Sequence, residues 1–198
     1  MKEMWNERYE SKDYFYGTEP NSAYKSFIDN NTPGKLLLPA EGEGRNAVYA
    51  ATKGWDVTAI DFSEEARKKA LNLAKSKNTS ITYHIGDVQQ LEFQAHTFDY
   101  IACVFMHLPS EQLQLIYKRL MNLLKPQGLL LIVGFNKNQL KYSSGGPRNE
   151  DWLFSAENLK DQFNDCVIIQ AKDYKTTLNE GNGHEGVAEI TIVEIKKE

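Results

Sequence analysis

Short apolar runs alternate with amphipathic helical stretches along most of this 198-residue chain, and no other feature restricts its architecture as much. Residues 35–38, 56–60, 81–85, 98–104 and 128–133 read as strands. Helical patterns fall at 22–29, 63–77 and 110–124. The clearest is 63–77, where Ser63 suits the N-cap, Glu64 and Glu65 suit the positive end of the dipole, and Lys68, Lys69, Lys75 and Lys77 suit the negative end. Pro126 and Gly128 stop the 110–124 helix. Such alternation predicts an α/β doubly wound sheet with parallel strands, right-handed crossovers and helices on both faces. Beyond Phe154 the pattern changes to a short helix at 155–163 and β-rich runs at 166–169 and 188–195. Asn179-Glu180-Gly181-Asn182-Gly183-His184 suits the turn between those runs, so the sheet is expected to end in a C-terminal antiparallel hairpin.

With 41% hydrophobic residues the chain can build one core, and residues 1–198 are expected to form a single domain. A net charge of −4 leaves no basic excess to neutralise a phosphate backbone, which argues against nucleic acid as a partner. The first eight residues lack a leader-like apolar stretch, and no later run is long enough to span a bilayer. A cytoplasmic protein without membrane partners is expected. Cys103 and Cys166 sit in strand-like runs and are expected to be reduced and buried. His84, His96, His107 and His184 are scattered without ligand spacing, so no metal is predicted. No heptad demands a partner, which leaves monomer and homodimer both open. Residues 141–150, with Ser143-Ser144-Gly145-Gly146-Pro147, form a candidate lid loop.

Ligands of an open α/β sheet bind beyond the carboxyl ends of its strands, beside the point where strand order reverses. After the first strand comes the turn Pro39-Ala40-Glu41-Gly42-Glu43-Gly44-Arg45-Asn46, where Ala40, Glu41, Gly42 and Arg45 are candidate cofactor contacts. Asp61, 19 positions beyond Gly42, stands where a carboxylate accepts both ribose hydroxyls; capping the next helix is its other possible role, although Ser63 is better placed for that. At Gly86-Asp87-Val88 a carboxylate can take an adenine amino group while the Val88 N–H meets a ring nitrogen.

Taken in order, the GxG turn, Asp61, Gly86-Asp87, Phe98-Asp99-Tyr100-Ile101 and Leu123-Leu124-Lys125-Pro126-Gln127-Gly128 resemble the motif series of class I S-adenosylmethionine-dependent methyltransferases over about residues 34–135. Three further segments narrow the resemblance to the tellurite-resistance (TehB-like) and thiopurine methyltransferase branch. They are the arm Trp5-Asn6-Glu7-Arg8-Tyr9 with Tyr16-Gly17-Thr18-Glu19-Pro20-Asn21, the turn Gly42–Asn46, and the tail Leu178-Asn179-Glu180-Gly181 with His184 and Gly186. The resemblance implies a Rossmann-like seven-stranded sheet, mostly parallel, and S-adenosylmethionine as cofactor, with S-adenosylhomocysteine as product. It also implies a small-molecule methyl acceptor, and an arm and helix over residues 1–30 that cover the cofactor bound by a 34–135 core. Trp5 and Tyr16 are the preferred arm contacts to the sulfonium, Phe62 is expected to pack on adenine, and Val104 lines the site. Where the family has an acidic residue, a glycine and a cysteine, this chain has Leu38, Ala40 and Glu41; Glu41 is expected to supply the missing carboxylate.

In-line displacement needs alignment and exclusion of water more than proton transfer. A neutral acceptor would use a base, and His107, after the fourth strand, is the candidate; a helix-entry histidine bonded to backbone is the equally weighted alternative. A thiolate or a reduced tellurium or selenium oxyanion would need none. Arg148 and His184, each in a glycine-rich loop, are the weaker acceptor-side candidates, and Asp99 is assigned to structure. Two rivals remain: an NAD(P)-binding oxidoreductase, because Gly42–Ala47 also fits G-x-G-x-x-A, and a non-catalytic cofactor-binding protein.

Overall fold

The computed structural model describes residues 2–90 and 92–198. Its elements are α1 (Lys2–Tyr9), α2 (Ser22–Asn30), β1 (Lys35–Pro39), α3 (Arg45–Thr52), β2 (Asp56–Asp61), α4 (Glu64–Ser76) and β3 (Thr82–Ile85), followed by β4 (Phe98–Val104), α5 (Ser110–Leu123), β5 (Leu124–Phe135), α6 (Ala156–Gln162), β6 (Val167–Glu180) and β7 (His184–Lys196). Seven strands form one sheet in the order β3-β2-β1-β4-β5-β7-β6. β1 pairs in parallel with both β2 and β4, so strand order reverses between β1 and β4. β7 runs antiparallel to both β5 and β6, which gives the expected mostly parallel sheet with a C-terminal antiparallel hairpin.

Two apolar layers follow from the period-2 alternation of the strands. Leu36 and Leu38 of β1 face a cluster containing Tyr24, Phe27 and Ile28 of α2 and Ala47 and Ala50 of α3. Leu37 faces the opposite layer, with Ile116, Tyr117 and Leu120 of α5. All three leucines are fully buried, each contributing about 2 kcal/mol through area removed from water. At Gly44 the backbone is left-handed, and a Cβ would come 2.5 Å from the Cβ of Ala70, so only glycine lets α4 approach the start of α3. Ser63 caps α4 by accepting the Ala66 N–H, and Asn21 caps α2 by accepting those of Ala23 and Tyr24.

Four features differ from the sequence reading. β6 and β7 extend far beyond the predicted runs, because residues 170–179 are mostly polar on an edge strand and carry no apolar period. α5 ends at Leu123 and the chain enters β5 at once, with Pro126 in the opening bend of the strand and Gln127 at φ +65°. Cys166 is half-buried, unlike Cys103, because it precedes this edge strand. Finally, the 141–150 loop is pinned to β7: Ser144 Oγ donates to the Val187 carbonyl, and Gln139 bonds Ser144, the Gly145 carbonyl and the Glu189 N–H. Among the described residues no helix is long and apolar enough to cross a membrane.

Candidate functional site

The turn after β1 is built from left-handed positions at Ala40 (φ +54°), Gly42 (+62°) and Gly44 (+87°). Buried Asp61, at the end of β2, braces it: Oδ2 accepts the Gly42 N–H at 3.0 Å and Oδ1 accepts the Ser63 N–H at 3.0 Å. Both readings of Asp61 therefore hold in part, because it supports the entry to α4 while Ser63 makes the cap. A carboxylate accepts about four hydrogen bonds, so capacity for a ribose diol remains. Burial raises the Asp61 pKa, against the pull of these N–H donors. Asp87 is half-buried and its Oδ1 accepts the Gln89 N–H at 2.8 Å, leaving its other oxygen for an adenine amino group. The Val88 side chain is in the core, so only its backbone can serve a ligand; Val104 is buried at the end of β4, and Phe62 is half-buried beside Asp61. These groups fit an adenosyl cofactor.

Glu41 corrects an expectation. Its carboxylate turns inward and accepts the Ala47 N–H at 2.7 Å, bracing the first turn of α3 instead of facing a ligand. Burial pushes its pKa up to about 7 against the Ala47, Asn46 and Arg45 interactions that hold it down.

The arm is fastened along its length. Ser63 Oγ donates to Asn6 Oδ1 at 2.7 Å, Trp5 stacks on Tyr9 at 5.5 Å, and the buried Tyr9 hydroxyl lies 2.8 Å from where a Cβ on Gly42 would stand. Glu43 accepts the Phe15 and Tyr16 N–H groups at 2.8 and 3.4 Å while pairing with Lys69 at 2.6 Å. Arg45 donates to the Tyr16 carbonyl at 3.2 Å. The Tyr16 backbone is thus tied to the turn. Trp5 is half-buried, with the Arg8 guanidinium 4.6 Å above its ring.

At the other end of the rim, Glu180 gathers Arg45 Nη2 (2.8 Å), Asn21 Nδ2 (2.8 Å) and His184 Nδ1 (3.2 Å). Burial opposes its charge, but the His184 and Arg45 interactions outweigh burial and bring its pKa down to about 2. His184 is 5% exposed and packs against Phe105, Tyr16 and Phe135 at centroid separations of 4.3, 4.6 and 5.0 Å. Burial holds its pKa below 6.5, with Glu180 pulling the other way. A neutral ring donates Nδ1–H to Glu180, and Nε2 has no hydrogen-bond partner among the described residues. Phe105 takes φ +55°, a strained conformation for a bulky residue, at the end of β4 beside this ring.

The base role foreseen for His107 is corrected. Its Nδ1 donates to the Trp152 carbonyl at 2.7 Å and its Nε2 accepts the Phe135 N–H at 3.1 Å, so neither nitrogen is free. Burial brings its pKa down to about 4, and the ring works as a backbone brace between β5 and the 150–152 turn. Arg148 is likewise not brought to the rim: exposed, it donates to the Tyr142 carbonyl at 2.7 Å and lines a separate surface hollow of about 470 Å³ with Glu185 and Val187. Asp99 serves structure as expected, accepting the Lys35 N–H and pairing with Lys125. Sequence reasoning missed Tyr9, Asn21, Glu43 and Glu180 as parts of the site. Glu180 and Asn21 lay inside the quoted tail and arm motifs, whereas nothing local marked Glu43 as the arm's anchor.

Residues 39–128 match a family described as methyltransferase domain. The ubiquinone biosynthesis O-methyltransferase of Coxiella burnetii is 32% identical over 103 residues, which cover 51% of this chain and 43% of that protein. The probable S-adenosyl-L-methionine-dependent methyltransferase TehB of Haemophilus influenzae is 30% identical over 141 residues, 70% of this chain and 48% of that protein. The chain thus spans less than half the length of these relatives. The solved structure of TehB from Haemophilus influenzae superposes with a TM-score of 0.74 at 20% identity, covering 100% of this chain and 67% of that one. A chain solved for the conversion of a disulfide bond into a thioacetal group during echinomycin biosynthesis superposes with a TM-score of 0.81 at 16% identity, covering 100% and 92%. Both structural likenesses establish the fold.

Proposed function

We propose that this chain, a class I S-adenosylmethionine-dependent methyltransferase of the TehB-like type, methylates a small soft nucleophile, a thiol or a reduced tellurium or selenium oxyanion. When bound, the cofactor supplies an electrophilic sulfonium methyl group. Gly42 and the Asp61 and Asp87 carboxylates hold its nucleoside, and Arg45, Trp5 and Tyr16 keep the arm closed over it, excluding water.

The observation that carries this reading is the clamping of Phe15–Tyr16 between the cofactor turn and the β6–β7 tip. Glu43 and Arg45 grip one side; Gly183 N–H donates to the Phe15 carbonyl at 3.3 Å on the other. A rim closed this way, by the rings of Tyr16, Phe105 and His184, suits a small acceptor. His184 Nε2, with its tautomer set by Glu180, takes the proton of a neutral thiol; an acceptor already anionic bypasses it. A net charge of −4 supports the absence of a nucleic-acid partner, and the same reading places the protein in the cytoplasm without a membrane partner. The oxidoreductase alternative is disfavoured because β6 and β7 form an antiparallel hairpin where a dinucleotide fold continues with a second βαβ half.

The test is transfer of labelled methyl to a panel of thiols, selenols, reduced tellurium species and phenols. The reading expects turnover on a soft acceptor that His184→Gln reduces. Cofactor binding with no product across the panel would favour the non-catalytic alternative instead.

A further inference from the structure

The His184 ring is enclosed by Tyr16, Phe105 and Phe135 and, on a further side, by backbone. A Cβ on Gly145 would stand 2.8 Å from His184 Cδ2, the ring carbon bonded to Nε2, and 2.5 Å from the Gly183 carbonyl oxygen. One residue on, a Cβ on Gly146 would stand 2.7 Å from Phe135 Cδ2. Both glycines have positive φ, +120° and +87°, so the strap 144–146 lies directly on the two rings, against the His184 edge that carries Nε2. Side chains alone hold this strap. Among the described residues, no backbone–backbone hydrogen bond engages residues 143–148. Gln139, 1% exposed, donates Nε2 to Ser144 Oγ at 2.9 Å and to the Gly145 carbonyl at 3.0 Å, while its Oε1 accepts the Glu189 N–H of β7 at 2.9 Å. Ser144 Oγ in turn donates to the Val187 carbonyl. Beside the strap is the hollow of about 470 Å³ bounded by Ser144, Arg148, Glu185 and Val187, which neither His184 nor Phe135 lines.

We propose that the 144–146 strap is the gate through which the methyl acceptor reaches His184, and that Gln139 is the latch that holds it shut. Gln139 is a positioning residue, acting on His184 through Gly145. Two glycines give the strap backbone freedom, its few side-chain bonds exchange for water without breaking a strand ladder, and the hollow gives the displaced segment room. The arm, held by the charges of Glu43 and Arg45, is the more firmly fastened cover. The inference rests on the acceptor-side reading of His184 above and adds a step to it: the acceptor enters from the strap side while the arm keeps the donor covered.

Diethyl pyrocarbonate, which acylates an accessible neutral imidazole, reads the gate on the full chain with no acceptor present, and peptide mapping by mass spectrometry resolves His184 from the other histidines. Gln139→Glu keeps an oxygen for the Glu189 N–H and removes both donors to the strap. It is expected to raise the His184 modification rate about 10-fold or more through the two lost bonds, with S-adenosylhomocysteine affinity unchanged. Ser144→Ala, the milder cut, should raise that rate less. His107, with both nitrogens on backbone, should stay unmodified in each variant and reports that the fold is intact. A reversible lock gives the converse. A Cβ on Gly186 would lie 3.7 Å from Ser144 Cβ, a disulfide spacing, so Ser144→Cys with Gly186→Cys should shield His184 when oxidised and expose it when reduced by a phosphine. The reduced form carries the same strain at φ +108° and is its own control. Unchanged His184 rates in both latch variants, equal rates in the oxidised and reduced lock, or a parallel rise at His107 each overturn the gate and assign Gln139 to general packing. Because no acceptor is used, a silent acceptor panel would remove the function proposed above without altering this readout.

Discussion

The rim over β1, β2 and β3 and the rim over β4, β5 and the β6–β7 tip are built by opposite strategies. On the first, Glu41, Asp61 and Asp87 each follow a strand directly and accept backbone N–H groups within their own or the adjacent turn. On the second, Tyr16, Phe105, Phe135 and His184 come from four distant segments and meet ring against ring. A recurring ligand half can be met by local backbone geometry. A variable one is met by side chains that distant loops bring together, and these can change without disturbing the sheet.

The largest effect expected from breaking this contrast is on the first rim. Asp61→Ala removes two charge-assisted bonds to a ribose and should lower S-adenosylhomocysteine affinity by about 10³-fold, measured by calorimetry. Next is His184→Gln, expected to lower turnover on a neutral thiol about 100-fold with little change in donor affinity. The wild-type rate should rise with pH through the His184 pKa, below 6.5, because the neutral ring is the active form; Glu180→Gln removes a group that holds this pKa up and should move the acid limb lower. His107→Ala, by contrast, strands the Trp152 carbonyl and Phe135 N–H and should cost about 2 kcal/mol in chemical denaturation without changing the shape of the pH profile. Glu43→Gln loosens the arm from the turn, and an increase of about 10-fold in acceptor KM is expected from the lost charge-assisted bonds.

The smallest effect separates the rims by sign. Glu41, at about 7, stands above its ordinary 4.5: its contribution to stability is present below 4.5 and is lost as pH rises through 7. Glu180, at about 2, contributes above 4.5 and loses its contribution as pH falls through 2. Glu41→Gln should therefore flatten the decline in Tm between pH 5 and 8, and Glu180→Gln should not.

Legibility in the sequence followed the same division. β1 to β5, α2, α4, α5 and the strand-end positions of Asp61 and Asp87 were readable because apolar period, caps and strand-end turns are local signals. The acceptor rim was not. The sequence reading put His107 ahead of His184, and only the fold reveals that His107 has both nitrogens on backbone while His184 leans on Glu180. Glu41 misled because its carboxylate is needed at the start of α3, a demand that becomes visible only once the turn is closed. The length of β6 was hidden because this edge strand is mostly polar and only scattered residues, such as Ala171, Tyr174 and Leu178, pack on the core, so no apolar alternation marks it.

The most direct test is calorimetric titration of the wild-type chain and of Asp61→Ala with S-adenosylhomocysteine and with NADH. Binding of S-adenosylhomocysteine by the wild type, strongly weakened in the variant, with no response to NADH, is the predicted result. Binding of NADH alone would contradict the account and return the site to the oxidoreductase reading.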